Sequence, residues 1–208
     1  MPCIKGSRGS GTVFKKLPER LASIVKEHCT NSRWEGFNLY FQDEARFGLL
    51  TETGRILTAK GVQSIVSYQH KFANTYLWGS YSPINGDSFV WEINGVSSDI
   101  FERYLHGLSL HHPKEFKILI IDNAGFHSTK NIKIPDNIFL LNLPPYSPEL
   151  NPCEQVWKFI KQKFKNKSFK TIYKLKDWLH HTVNDMAKET IISICSNHHY
   201  IDALSPLL

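Results

Sequence analysis

Three acidic residues of this 208-residue chain stand where packing gives no reason for a charge: Asp43, Asp122 and Glu154. Asp43 closes an alternation of Phe37, Leu39 and Phe41 with polar partners, and Asp122 directly follows Ile118–Ile121. Glu154 falls in the first turn of a helix announced by Asn151 and Pro152. Catalytic groups in open α/β sheets gather at the carboxyl ends of strands. If the strands ending at Asp43 and Asp122 are neighbours, the two carboxylates emerge side by side and repel until a cation neutralises them. Hard anionic oxygens select Mg²⁺ or Mn²⁺. Two such ions activate a water or a 3′-hydroxyl and stabilise the leaving oxygen in phosphoryl transfer. Each residue also has a local alternative. Glu44 competes with Asp43 as the inward acid, Asp122 with Asn123 suits an Asx turn, and Glu154 suits a capping box with Asn151.

The elements that must hold these residues are legible from periodicity. Phe14, Leu17, Leu21, Ile24 and Val25 follow helical spacing over 13–28, with Pro18 starting or interrupting the helix. A strand is predicted from Phe37 to Asp43, then short β-like runs at 47–50, 56–58, 64–68, 74–81 and 89–93. Gly54, Gly61, Pro83 and Asn85-Gly86 punctuate them. Residues 97–110 read as an amphipathic helix capped by Ser97 or Ser98. The unbroken apolar run before Asp122 implies a strand buried on both faces, hence parallel pairing. A short turn or helix at 128–132, a buried strand at 138–143 and the stiff Pro144-Pro145-Tyr146-Ser147-Pro148 connection lead into the helix of Glu154. Residues 171–188 form a further predicted helix. A meander feeding a βαβ half predicts an α/β chain with a ribonuclease H-like fold: a mixed five-stranded sheet with helices on both faces. The expected organisation is a flexible lead and one helix over 1–36, a catalytic domain over 37–180 and a helical extension over 181–208.

The net charge is +6, yet eight lysines between Lys158 and Lys176, with no acid among them, leave the remainder slightly acidic. On a helical projection Lys158, Lys161 and Lys165 lie within about 40° of Glu154. Cys153, Val156, Ile160 and Phe164 form the opposite, core-facing stripe. A basic stripe beside a metal ligand is suited to a DNA backbone. Phe164, Phe169, Tyr173 and Trp178 interleave with it and read mainly as core by periodicity. The four cysteines have no paired spacing, which argues against a disulfide framework or zinc module. Gly6 and Gly11 have phosphate-loop spacing, but Thr12 stands where the loop lysine belongs. No apolar run reaches the roughly 18 residues of a membrane span.

FQDEARFGL (41–49), ILIIDNAGFHSTKN (118–131) and LPPYSPELNPCEQVWKFIK (143–161) resemble the DDE transposases of bacterial insertion sequences related to the mariner superfamily. GRILTAKG (54–61) is similar to the basic, Gly-bounded segment of that group. The resemblance implies a ribonuclease H-like core that cleaves and transfers strands of double-stranded DNA with two Mg²⁺ or Mn²⁺ ions. It further implies element ends and a TA target as substrate, a homodimer on DNA, and a bacterial cytoplasmic, nucleoid-associated location with no membrane. By position Asp43, Asp122 and Glu154 become the catalytic metal ligands. His127, Arg46 and Lys60 join Lys158, Lys161 and Lys165 as DNA-binding residues, and His127 has an alternative role bonding a backbone carbonyl. Two departures stand out. The 31 residues between Asp122 and Glu154 are fewer than the group leads one to expect, and only about 36 residues precede the first strand. Helix-turn-helix end-reading modules are therefore expected on a separate or frameshift-linked frame, or to have been lost. The competing readings are another nuclease of the same fold and an inactive DNA-binding relic.

Overall fold

The computed structural model describes residues 17–29, 33–55, 57–63, 65, 68–122, 132–143 and 150–195. Helix α1 (Leu17–Cys29) has Pro18 in its first turn, where a missing N–H costs nothing. Five strands follow: β1 (Gly36–Gly48), β2 (Asn74–Tyr81), β3 (Ser88–Ile93), β4 (Glu115–Ile121) and β5 (Ile138–Asn142). Helix α2 (Ser98–Leu110) separates β3 from β4. Helices α3 (Cys153–Phe164), α4 (Ile172–Asn184) and α5 (Lys188–Cys195) follow β5.

The sheet order is β3-β2-β1-β4-β5. The β3-β2-β1 half is antiparallel, and β1-β4 and β4-β5 are parallel. The apolar run predicted to be doubly buried is β4, of which Phe116 and Ile118–Ile121 are at most 1% exposed. Its alternate residues enter two separate cores. Phe116, Ile118 and Ile120 pack with α1, α3, α4 and α5 residues, including Leu21, Ile160, Leu179 and Ile191. Leu119 and Ile121 pack with Phe101, Tyr104, Leu105 and Leu108 of α2. Helices therefore cover both faces, as the alternation requires.

Three predicted boundaries differ. The strand predicted to end at Asp43 continues into the predicted 47–50 run and ends at Gly48, because β2 pairs with it from Phe41 to Gly48. The residues described from the 56–58 and 64–68 runs belong to no strand. Leu57 and Ile65 are 102% and 95% exposed, so the apolar side chains that suggested strands bury nothing there. The helix predicted over 171–188 stops short: α4 ends at Asn184, and Lys188 opens a second helix, α5, that runs on to Cys195. The first closes at Asp185, whose N–H donates to His181 O while Met186 N–H donates to Val183 O. Asn184 and Asp185 are weak helix formers, which favours a stop there.

Candidate active site

The parallel register of β1 and β4 runs from Gly36 opposite Glu115 to Phe41 opposite Ile120. Carried two residues further, it sets Asp43 opposite Asp122. Asp122 is exposed, one residue beyond the end of β4. Asp43 lies within β1 rather than at its end, because β1 outruns β4 and continues as a hairpin arm with β2. The two acids thus meet where β4 stops.

Alternation along β1 distinguishes Asp43 from Glu44. Leu39, Phe41, Ala45 and Phe47 enter the core beneath α3, and Asp43 shares their side. Trp157 of α3 confirms that orientation, its indole Nε1–H donating to Asp43 Oδ2 at 3.0 Å. Glu44 lies on the other side, accepting from Gln42 Nε2 at 2.6 Å. Its backbone N–H donates to Asp43 Oδ1 at 2.8 Å.

Helix α3 brings Glu154 to this place by a set of buried contacts with β1. Asn151 Nδ2 donates to Gln42 O at 2.9 Å, and Cys153 Sγ donates to Phe41 O at 2.9 Å. Both acceptors precede Asp43 in the chain. Asn151 Oδ1 accepts from Cys153 N–H at 3.1 Å, so this asparagine serves the helix start and the sheet together. The cap position falls on Pro152 in an α conformation without a side-chain cap, not on Asn151 as predicted, and Glu154 is the second helical residue. Glu154 is exposed in that first turn. Opposite Asp43 in β2 stands Gly79. A Cβ on Gly79 would lie 2.7 Å from Trp157 Cη2, so the absence of a side chain is what lets the indole reach Asp43. Asn151, Cys153, Trp157 and Gly79 are the positioning residues that motif reading left without a role.

Burial, and then the charges of Glu44 and Glu154, raise the Asp43 carboxyl to about 7. What draws it down is a pair of neutral donors, the Glu44 N–H and the Trp157 indole. The donor set of Asp43, Asp122 and Glu154 is all carboxylate oxygen, which fits Mg²⁺ or Mn²⁺ and disfavours softer ions.

Of the residues predicted to touch DNA, Lys158 and Lys165 are exposed and Lys161 half-buried along α3 and its end. Lys161 Nζ sits 6.0 Å from the Phe47 ring centroid. Farther along the predicted stripe, Lys176 pairs with Glu92 at 2.9 Å and Lys174 with Asp177 at 3.8 Å. Those two lysines are thus partly neutralised by acids lying outside the 158–176 stretch. Phe169 stacks on Phe164 and Trp178 tilts against both, as core, whereas Tyr173 is 74% exposed. Arg46 is exposed but alternates onto the α2 side of β1, away from Lys158 and Lys161. Lys60 is exposed in the β1–β2 connection. That connection is held against the end of α3, where Asn166 Oδ1 accepts from Gly54 N–H at 2.8 Å. His127 lies outside the described residues.

Comparison with known proteins gives a consistent picture. The chain matches the DDE superfamily endonuclease family over residues 38–176. It is 54% identical over 54 residues to the uncharacterized protein y4pE/y4sA of Sinorhizobium fredii (strain NBRC 101917 / NGR234), a stretch covering 26% of this chain and 40% of that protein. Among solved structures it is similar to the Mos1 transposase paired-end complex with left transposon end (TM-score 0.63, 14% identity, 94% of this chain and 61% of that one). It is also similar to the Mos1 mariner paired end complex with Mn (TM-score 0.65, 15% identity, 97% and 62%). These likenesses show the ribonuclease H-like fold. The chain spans about two fifths of the matched relative and about three fifths of the Mos1 chains.

Proposed function

The chain belongs to the DDE superfamily endonuclease family, and from that premise we propose that it is the catalytic domain of an insertion-sequence transposase. Its reaction is metal-dependent cleavage of DNA followed by strand transfer. The observation that carries the proposal is the register that sets Asp43 opposite Asp122 beside the first turn of α3 at the end of β4, with Asp43 raised to about 7 by burial and by the charges of Glu44 and Glu154. Asp43, Asp122 and Glu154 would hold two Mg²⁺ or Mn²⁺ ions, which would supply activation of the attacking oxygen and stabilisation of the leaving one.

The chain's own residues supply position. Trp157 and the Glu44 N–H each hold one oxygen of Asp43, fixing the carboxylate plane. Asn151 and Cys153 fix the start of α3, and with it Glu154, against β1. Lys158, Lys161 and Lys165 continue along α3 from Glu154 and contact the phosphates that flank the scissile one. In cleavage a water oxygen forms the new bond to phosphorus, the P–O3′ bond breaks, the water's proton goes to solvent and the leaving O3′ takes a proton from solvent. In transfer the oxygen of the freed 3′-hydroxyl forms the new bond to a target phosphorus, the target's own P–O3′ bond breaks, the hydroxyl proton goes to solvent and the leaving O3′ takes a proton from solvent. Support for a transposon end as substrate comes from the Mos1 likeness and the motifs at 118–131 and 143–161. By the same analogy the working unit is a homodimer on paired ends, with TA as target. Helix-turn-helix reading modules are supplied outside these residues, and His127 contacts DNA near Asp122.

A cleavage panel tests this reading against other nucleases of the fold. With Mg²⁺, a duplex ending in the element's terminal repeat is cut at the repeat and joined to a TA-containing target. Preferential cutting of an RNA–DNA hybrid or a branched duplex overturns the transposase assignment. Absence of any Mn²⁺ binding by calorimetry overturns the metal centre.

A further inference from the structure

A second cluster of ligating side chains lies at the other end of the sheet. Asp87 ends the β2–β3 turn, His111 and His112 follow α2, and Glu115 opens β4. Strand β4 has 7 residues, so at about 3.3 Å per residue its two ends are roughly 20 Å apart. This cluster is therefore separate from the place where Asp122 leaves the sheet.

Its geometry exceeds what an ion pair needs. His111 Nε2 lies 2.9 Å and His112 Nε2 3.5 Å from the same Asp87 Oδ2, and the two rings are 4.3 Å apart. One donor among the ligand atoms of Asp87, His111 and His112 is never more than 4.8 Å from another. Asp87 Oδ2 already accepts from Tyr40 Oη at 2.7 Å, so a single histidine would complete its partners. The second is supplied at a cost: His112 has φ 56, a left-handed conformation unfavourable for a residue with a Cβ. Lys117 Nζ, from a fully buried side chain, donates to His112 O at 2.7 Å and holds that conformation. Tyr40 Oη is also 2.9 Å from Glu115 Oε1, so one phenol proton faces two carboxylates and the cluster is rich in anionic oxygen. Asp87 is nearly buried and His112 is 57% exposed, which leaves an approach from solvent.

We propose that Asp87, His111 and His112 form a binding site for a divalent transition-metal ion of the Zn²⁺ class, distinct from the carboxylate centre. Two imidazole nitrogens and one carboxylate oxygen are a borderline-soft set that suits Zn²⁺ and not Mg²⁺. Three protein ligands leave a fourth position for water. The ion ties the β2–β3 turn to the α2–β4 connection, two segments that otherwise meet through side-chain hydrogen bonds. Tyr40 and Lys117 act around it, the first by hydrogen bonding Asp87 and the second by fixing the His112 backbone.

Calorimetric titration of the metal-free full chain with Zn²⁺, in excess Mg²⁺ to occupy the carboxylate centre, tests the site. One Zn²⁺ ion binds, and the thermal midpoint rises with Zn²⁺ concentration. His112→Ala lowers the Zn²⁺ affinity by more than about 10-fold, the least expected when even a supporting partner of a metal is lost. Asp122→Asn leaves that affinity unchanged. Because His112 is the most exposed of the three, its variant keeps the wild-type far-ultraviolet circular dichroism. His111→Ala repeats the test independently. No Zn²⁺ binding in excess Mg²⁺, wild-type affinity in both histidine variants, or loss of binding in Asp122→Asn each overturns the proposal.

Discussion

Asp43 is a residue that works against the fold it belongs to. Burial and the charges of Glu44 and Glu154 raise its carboxyl from 3.8 to about 7. The native state therefore binds this proton more tightly than the unfolded chain, and metal-free stability falls as pH rises from about 4 through about 7. The loss is at most about 4 kcal/mol at 1.4 kcal/mol per unit. Metal-free Asp43→Asn is consequently more stable than wild type at pH 8 and close to it at pH 4, as thermal unfolding at the two pH values will show. Trp157→Phe keeps the ring but loses the bond to Asp43 Oδ2. It lowers the cleavage rate about tenfold with little change in DNA affinity, a difference that single-turnover kinetics resolves. The carboxylates were visible in the sequence because a charge after an apolar run is conspicuous. Glu44 stayed open as a rival until the pairing of Trp157 with Asp43 placed the two acids on opposite faces of β1. Asn151 and Cys153 gave no signal of their roles, since a capping asparagine and a buried cysteine look the same whether or not they bond a neighbouring strand.

The docking of α3 on the β1–β2 pair converts those residues into a site. Gly79 illustrates the dependence: an added methyl would meet the Trp157 ring at 2.7 Å. Gly79→Ala displaces the indole, costs about 1–3 kcal/mol by overpacking and reduces cleavage beyond its effect on folding. Comparing denaturant midpoints with cleavage rates under folded conditions separates the two. The outer face of α3 has a different job. Removing Lys158, Lys161 or Lys165 weakens DNA binding alike across sequences and lowers the salt slope by about 1 per residue, measurable by fluorescence anisotropy over a range of salt concentrations. Periodicity found α3 and its two faces, because a helix carries its burial pattern locally. It broke β1 at Asp43, since the pairing that extends the strand comes from β2, some 30 residues away. It also carried α4 on to Lys188, as the stop at Asp185 rests on backbone hydrogen bonds that leave the apolar spacing intact.

At the scale of the molecule, the sheet order brings Asp43 and Asp122 together. The parallel β1–β4 pairing follows from a β4 buried on both faces, and that burial is written in four consecutive apolar residues. The fold is thus the most legible level, and the local +8 stretch on an otherwise slightly acidic chain marks the face proposed to meet DNA. The structure divides that stretch: Lys158, Lys161 and Lys165 run on from Glu154, while Lys174 and Lys176 are tied to Asp177 and Glu92. The central claim is that Asp43, Asp122 and Glu154 act as one metal-holding centre on the α3 side of β1, while Glu44 faces away. Mg²⁺-dependent nicking of duplex DNA by Asp43→Asn, Asp122→Asn, Glu154→Gln and Glu44→Gln tests it most directly, with DNA affinity measured alongside. The first three variants bind DNA as wild type does and do not nick it, and Glu44→Gln nicks it. Nicking at the wild-type rate by any of the first three, or its loss in Glu44→Gln alone, would contradict the account.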